Sequence, residues 1–210
     1  DVANLGWKLA ARLQGWGTEA LLTSYSAERQ PIFVETGRDF IAAGIERDAA
    51  FLARYSPEKD RAEFERAWND QQGAAAPRVL TYEPHYEGSP IVFGPPGGQS
   101  SARGAHTFTA RTGHHLPPQP LSSGRNVFEE LGPYFTLLAF DVGDSAAAAF
   151  ADAAKKLSVP LKIVRDTYRD GRKAYAAKLI LVRPDRYVAW TADAAPDNEE
   201  AILGKVIARG

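Results

Sequence analysis

The chain has 210 residues, with 25 Lys and Arg against 26 Asp and Glu for a formal net charge of −1, 44% hydrophobic and 24% charged residues, and neither Cys nor Met. That balance describes a folded globular chain rather than a disordered one, and it supplies no basic footprint for nucleic acid or anionic lipid. The absence of cysteine excludes disulfides, thiolate metal sites, a thiol nucleophile and a CxxC redox pair; with no bilayer-length apolar run and no signal peptide, the expected location is the cytoplasm.

The opening DVANLGWKLAARLQGWG repeats leucine every four residues at Leu5, Leu9 and Leu13. Asp1 suits a helix start and Gly15 and Gly17 a helix stop, so one helix is expected here. Beginning without methionine, the chain is expected to be processed or a piece of a longer one. Thr18 reads as the cap of a second helix, which Pro31 should end or kink near Arg29 or Gln30. Helical spacing resumes from Phe33 to Tyr55, and Gly37 and Gly44 within it suggest close approach of another backbone. Ser56 and Pro57 read as the start of a further helix, broken at QQGAAAPR.

From Leu80 to Pro120 the sequence is rich in Gly, Pro, Ser and Thr and predicts a looping connection with one or two short strands. YFTLLAF is an apolar run of strand length, expected to be covered on both faces. DSAAAAFADAAKKL follows as a helix with Asp144 or Ser145 as its cap, then the strand LKIVR, together a parallel crossover unit. YAAKLILVRPDRYVAWTA predicts two strands joined at RPD, where Pro184 presets the turn. PDNEEAILGKVIARG predicts a closing helix with Pro196 near its first turn. The fold class is therefore α/β: a helical N-terminal segment over residues 1–78, an extended connector over 79–104, and a β-α-β then β-β-α unit over 105–210. That order is thioredoxin-like, but with no thiolate a redox role is excluded.

Nothing in the residues specifies an active site. His85, His106, His114 and His115 lack the helical i, i+4 pairing of a zinc signature, and His114 and His115 should point to opposite sides of an extended strand. GPPGG at 94–98 lacks phosphate-loop spacing, and no GxSxG elbow is present. Glu28 and Arg29, just before Pro31, read as a salt bridge or cap fixing a bend. No catalytic, cofactor-binding or metal-ligating residue is assigned.

The stretch DVANLGWKLAARLQGWGTEALLTSYSAERQPI nevertheless resembles the segment after the last flavin motif of the single-component FAD-dependent aromatic hydroxylases, the p-hydroxybenzoate hydroxylase and phenol hydroxylase group. Asp1, Asn4, Leu5, Trp7, Lys8, Leu9, Leu22, Ser24, Tyr25, Glu28, Arg29 and Pro31 match that pattern, and Val2 departs from its usual Ala. YEGSPIV, TGHHLPPQPL, GRNVFEELGPYFTLLAF, VPLKIVRD and LILVRPDRYVAWTA resemble the C-terminal part of the same family's larger members. The glycine-rich turn and the other flavin motifs are not in this sequence.

The resemblance implies a C-terminal fragment of an FAD- and NAD(P)H-dependent enzyme that hydroxylates an aromatic small molecule. No cofactor is expected on the fragment itself, whose partner would be the missing N-terminal FAD-binding region, with a homodimer as a further option. Its role would be stability, subunit contact or pocket closure. Leu5, Trp7, Leu9 and the glycine-bearing face of the Phe33 to Tyr55 helix would then be exposed. The competing readings are a standalone thioredoxin-like interaction module without redox activity, and an independent enzyme using His114 or His115 with a metal.

Overall fold

The computed structural model describes residues 1–209, with residues 74–80 described by their backbone alone. Helix α1 (Val2–Leu13) is followed by α2 (Glu19–Glu35) across a tight turn. A Cβ on Gly17 would lie 2.7 Å from the Ala11 Cβ and 2.8 Å from the Leu21 side chain, so only glycine fits between the two helices. The Thr18 hydroxyl caps α2 by accepting the Leu21 amide, as its sequence position predicts.

Pro31 does not end α2, which runs on to Glu35 and passes directly into a π-helical stretch (Thr36–Ala42) and α3 (Ala43–Arg54). Glu28 and Ile32 are buried on either side of the proline while Ala27 is exposed. The carbonyl that Pro31 leaves without a donor therefore faces water, and the buried face holds the helix together. The expected close backbone approach at Gly37 and Gly44 is also not found: a Cβ at Gly37 would meet nothing within 4 Å, and one at Gly44 only the Arg47 side chain at 3.8 Å.

Helix α4 (Arg61–Leu80) starts four residues later than Ser56 and Pro57 suggest. Residues 56–59 form a turn, and the Asp60 carboxylate, a stronger acceptor, caps the helix by accepting the Glu63 amide at 2.9 Å. The break expected at QQGAAAPR does not occur either, since α4 continues to Leu80 through both Gly73 and Pro77. Phe51 of α3 packs against Phe64 and Trp68 of α4.

Two short strands, β1 (Tyr82–Tyr86) and β2 (Ser100–Arg103), form an antiparallel pair that lies against α2. A short helix α5 (Val127–Glu130), closed by an Asn126 and Glu129 capping box, leads into the main sheet. This contains β3 (Phe135–Phe140), β4 (Leu161–Asp166), β5 (Leu179–Val182) and β6 (Val188–Ala192) in the order β4-β3-β5-β6. β3 and β4 are parallel and joined by α6 (Asp144–Leu157), while β5 and β6 run antiparallel. Helix α7 (Glu199–Val206) closes the chain, capped by the Asn198 side chain, with Pro196 outside the helix. α6 likewise begins from Gly143 rather than from an Asp144 or Ser145 cap, with Asp144 in its first turn paired to Arg165.

All six residues of β3 are buried, as the unbroken apolar run requires. On one face Leu137, Leu179 and Leu181 pack with Phe150 of α6, Leu203 of α7, and Trp7, Ala11 and Trp16 from the N-terminal helix and its turn. On the other, Leu138, Phe140, Ile180 and Val188 pack with Leu116, Val127 and Tyr175. Trp7 is thus not exposed as expected: it is buried edge-on to Phe135 and stacked near Trp16. Leu5 is half-buried, and Leu9 is 43% exposed. No helix among the described residues is long and apolar enough to cross a membrane.

Candidate functional site: a buried ionic junction beside a cavity

Four charged side chains meet where α1, α2 and the β5–β6 turn converge. Lys8 comes from the inward face of α1 and Glu28 from that of α2, on the same buried stripe as Leu21, Ser24 and Ile32. Arg183 and Asp185 flank Pro184 in the turn, which the Arg186 amide closes by donating to the Arg183 carbonyl at 2.9 Å. All four side chains are at most 1% exposed.

Glu28 accepts from every side. Arg183 donates to its two oxygens at 2.6 and 3.0 Å, Lys8 Nζ donates at 2.7 Å, Asn4 Nδ2 at 2.6 Å and Ser89 Oγ at 2.6 Å. Arg183 also donates to both oxygens of Asp185, at 3.0 and 2.6 Å. Two cations and two anions therefore cancel within one buried cluster, and the planar guanidinium forks onto two carboxylates, a geometry lysine cannot reproduce. Its faces are covered by Trp7 and Tyr86, each ring centre 5.3 Å from the guanidinium carbon, with Tyr187 at 5.9 Å.

Burial alone would raise the Glu28 carboxyl, but Arg183 first and then Lys8 and Asn4 outweigh it and hold it at about 2. Arg183 is raised above its ordinary value, the fields of Asp185 and Glu28 overcoming its burial. Lys8 is the member whose charged form the junction disfavours: burial and the neighbouring Arg183 lower it to about 8 in spite of Glu28. Glu28 thus forms ion pairs, as its position suggests, but across three elements rather than at a helix bend. Arg29 points elsewhere, donating to Asp1 at 2.8 Å and to the Tyr86 hydroxyl at 3.2 Å.

Tyr187 connects the junction to a cavity of about 460 Å³ lined by Pro84, His106, Phe108, His115, Leu116 and Tyr187, with Glu83 at its edge. Its walls are apolar and ring-rich, suited to a flat apolar surface. They do not fit FAD: the ionised lining residue is a carboxylate, where a pyrophosphate needs cations or helix amides. No chemical step is assigned to these residues. His114 and His115 do face opposite ways, His115 to the cavity and buried His114 to Glu83 and Glu87. The GPPGG stretch forms a turn, with the Gly98 amide donating to the Pro95 carbonyl.

The junction joins the two regions that comparison with known proteins separates. Residues 1–37 match the FAD binding domain family, and residues 109–209 match the family described as aromatic-ring hydroxylase, C-terminal. An FAD-dependent monooxygenase of Emericella nidulans is 28% identical over 96% of this chain and 35% of its own length. A 4-methyl-5-nitrocatechol 5-monooxygenase of a Burkholderia species is 31% identical over 96% of this chain and 38% of its own. Among solved structures, the rebeccamycin biosynthetic enzyme RebC with reduced flavin superimposes with a TM-score of 0.78 at 29% identity, covering 99% of this chain and 40% of that one.

These matches define a flavoenzyme class, with the tail of a flavin domain leading into an α/β C-terminal region. The chain is similar in sequence and fold to the C-terminal part of FAD-dependent monooxygenases, and it spans about two-fifths of the length of these relatives.

Proposed function

We propose that this chain is the C-terminal part of an FAD- and NAD(P)H-dependent monooxygenase that hydroxylates an aromatic ring, and that within it the chain acts as scaffold rather than as chemical machinery. The observation that carries this reading is the buried pairing of Glu28, in the stretch matching the flavin domain, with Arg183, in the stretch matching the hydroxylase C-terminal region. A flavin domain whose last helices are ion-paired to a second folded unit inherits that unit's rigidity. The cofactor supplies the oxygen chemistry when bound elsewhere in the enzyme.

Residues 1–78 then complete the flavin and substrate regions, 79–104 form the connector that carries the small β1–β2 pair, and 105–210 form a thioredoxin-like domain. The strand order β4-β3-β5-β6 with one parallel crossover supports that last assignment. Having no cysteine, the domain serves stability, subunit contact or closure of the substrate pocket. The standalone-module reading has no observation in its favour, since both family matches fall on flavoenzyme regions.

The test is to express the longer protein and the 210-residue chain side by side, recording flavin absorption, NAD(P)H oxidation and oxygen-dependent hydroxylation of a panel of phenols and polycyclic aromatics. The reading expects flavin and activity in the longer protein alone. A longer protein that takes up no flavin sinks the enzyme reading, and flavin bound by the short chain sinks the scaffold reading.

A further inference from the structure

Away from the ionic junction, β1, the turn after it and the 111–115 segment enclose a second polar cluster. His85 lies near the end of β1 and Glu87 in the turn that follows it. His114 is brought opposite them by backbone pairing of its segment to β6, where the Gly113 amide donates to the Val188 carbonyl and the Val188 amide to the His114 carbonyl, both at 2.8 Å. The two imidazoles lie face to face, 4.5 Å between centres and 16° from parallel. One ligand atom from each of His85, Glu87 and His114 lies within 4.8 Å of the others.

The partners of the His85 ring settle which of its nitrogens is free. His85 Nε2 sits 3.0 Å from the Arg103 carbonyl, an acceptor, so it carries the hydrogen and Nδ1 keeps its lone pair. That Nδ1 is buried without any hydrogen-bond partner, in a residue only 8% exposed. Leaving it so is costly unless something occupies it. His114 Nδ1 is 3.0 Å from Glu83 Oε1, and its Nε2 is 2.9 Å from Glu87 Oε1. Glu83 holds the His114 ring by Nδ1, the arrangement that orients metal-bound histidines, and Nε2 becomes a ligand once an ion replaces the hydrogen it shares with Glu87.

We propose that His85, Glu87 and His114 bind a divalent first-row transition-metal ion, through His85 Nδ1, His114 Nε2 and a Glu87 carboxylate oxygen. Two imidazoles and one carboxylate are a donor set suited to zinc, with a fourth position left for water. Arg111 is 2.7 Å from Glu83, so Glu83, Glu87 and Arg111 together leave one negative charge to meet the ion. Tetrahedral bonds of about 2.0–2.1 Å place donors roughly 3.4 Å apart, so the three must draw together by about 1 Å. Most of that falls to the two stacked imidazoles, which must turn toward a common point, while rotation of the Glu87 side chain, 26% exposed, opens the route in from solvent. Glu83 is a positioning residue, holding the His114 ring. The bound ion ties the small β1–β2 sheet to β6 of the main sheet, which makes it a structural clamp.

The experiment is zinc titration by calorimetry of tag-free, chelator-stripped protein carrying the whole chain, with bound metal counted by mass spectrometry. Wild type is expected to take one zinc per chain and to melt at higher temperature with it. His85→Ala and Glu87→Gln are expected to abolish that stoichiometric binding, and Glu83→Gln to weaken it 10- to 100-fold. Cobalt substitution adds a readout independent of stability: tetrahedral visible bands in wild type that are lost in Glu87→Gln, whose side chain keeps its volume. Zinc taken up equally by wild type and both ligand variants overturns the proposal, as does a wild type that takes up none.

Discussion

Glu28 and Arg183 lie 155 residues apart in sequence and meet through two charge-assisted hydrogen bonds of 2.6 and 3.0 Å, with neither side chain exposed to solvent. The desolvation of two buried charges is offset only while both are present, so removing one is far worse than replacing both. Glu28→Ala should destabilise the protein by about 3–5 kcal/mol, leaving Lys8 and Arg183 buried with only Asp185 to balance them. Urea unfolding measures this, and Arg183→Met combined with Glu28→Gln should cost less than the sum of the two single changes. Additive losses would show that the pair is not coupled.

The same pairing sets an acid limit. The folded Glu28 carboxyl, at about 2, lies below its ordinary 4.5, so the unfolded chain binds the proton first. Its stabilising contribution is complete above about pH 4.5 and is lost as pH falls through about 2. Unfolding free energy should therefore decline across that window, and Glu28→Gln should flatten the part of the decline that belongs to this group. An identical acid profile in wild type and variant would remove Glu28 from the account.

Lys8 carries the opposite sign. With the folded ammonium at about 8 and the ordinary value at 10.5, the unfolded chain binds more protons between these limits. Stability should rise with pH across them as the buried charge is relieved. Lys8→Met, which keeps length and apolar volume, should abolish that rise and cost less than Arg183→Met, because Arg183 makes the forked bonds to both carboxylates. Chemical denaturation at pH 7.5 and pH 10 on both variants measures it.

The local elements were legible because each rests on neighbouring residues. The leucine repeat yields α1, Thr18 caps α2, and the unbroken run from Tyr134 to Phe140 gives a strand buried on both faces. Single breakers misled where long-range burial outweighed them: Pro31 is held inside α2 by buried Glu28 and Ile32, and Gly73 lies within α4. Of the junction, only the ion-pairing of Glu28 was legible, and not its partners. Asn4, Lys8 and Glu28 could be read as exposed polar positions on helices, and nothing local ties them to the RPD turn. The one available signal was Lys8 recurring on the same helical side as Asn4 and Ala11, a face that is buried. The histidines hid for a similar reason: a search for i, i+4 spacing passes over His85 on a strand, Glu87 in the turn after it and His114 brought beside them from a distant segment.

The outer face of the long helical run carries large apolar side chains that the described residues leave without cover. Phe33 is 73% exposed, Ile41 57%, Ile45 65% and Leu52 60%, too many large apolar side chains along one run for a face that stays in water. If residues 1–78 complete flavin and substrate regions in the longer enzyme, the same side chains are core there. Ile45→Ser and Leu52→Ser should then change the stability of the 210-residue chain by no more than about 0.5 kcal/mol, as exposed positions do. In the longer protein each should cost about 1.5–3 kcal/mol, the value of burying such a side chain, and should loosen flavin as the packing beneath it opens. Thermal and urea unfolding of both proteins, with released flavin followed by fluorescence, separate the cases. Equal small effects in both would leave this face exposed in the whole enzyme and remove the apolar surface as support for the fragment reading.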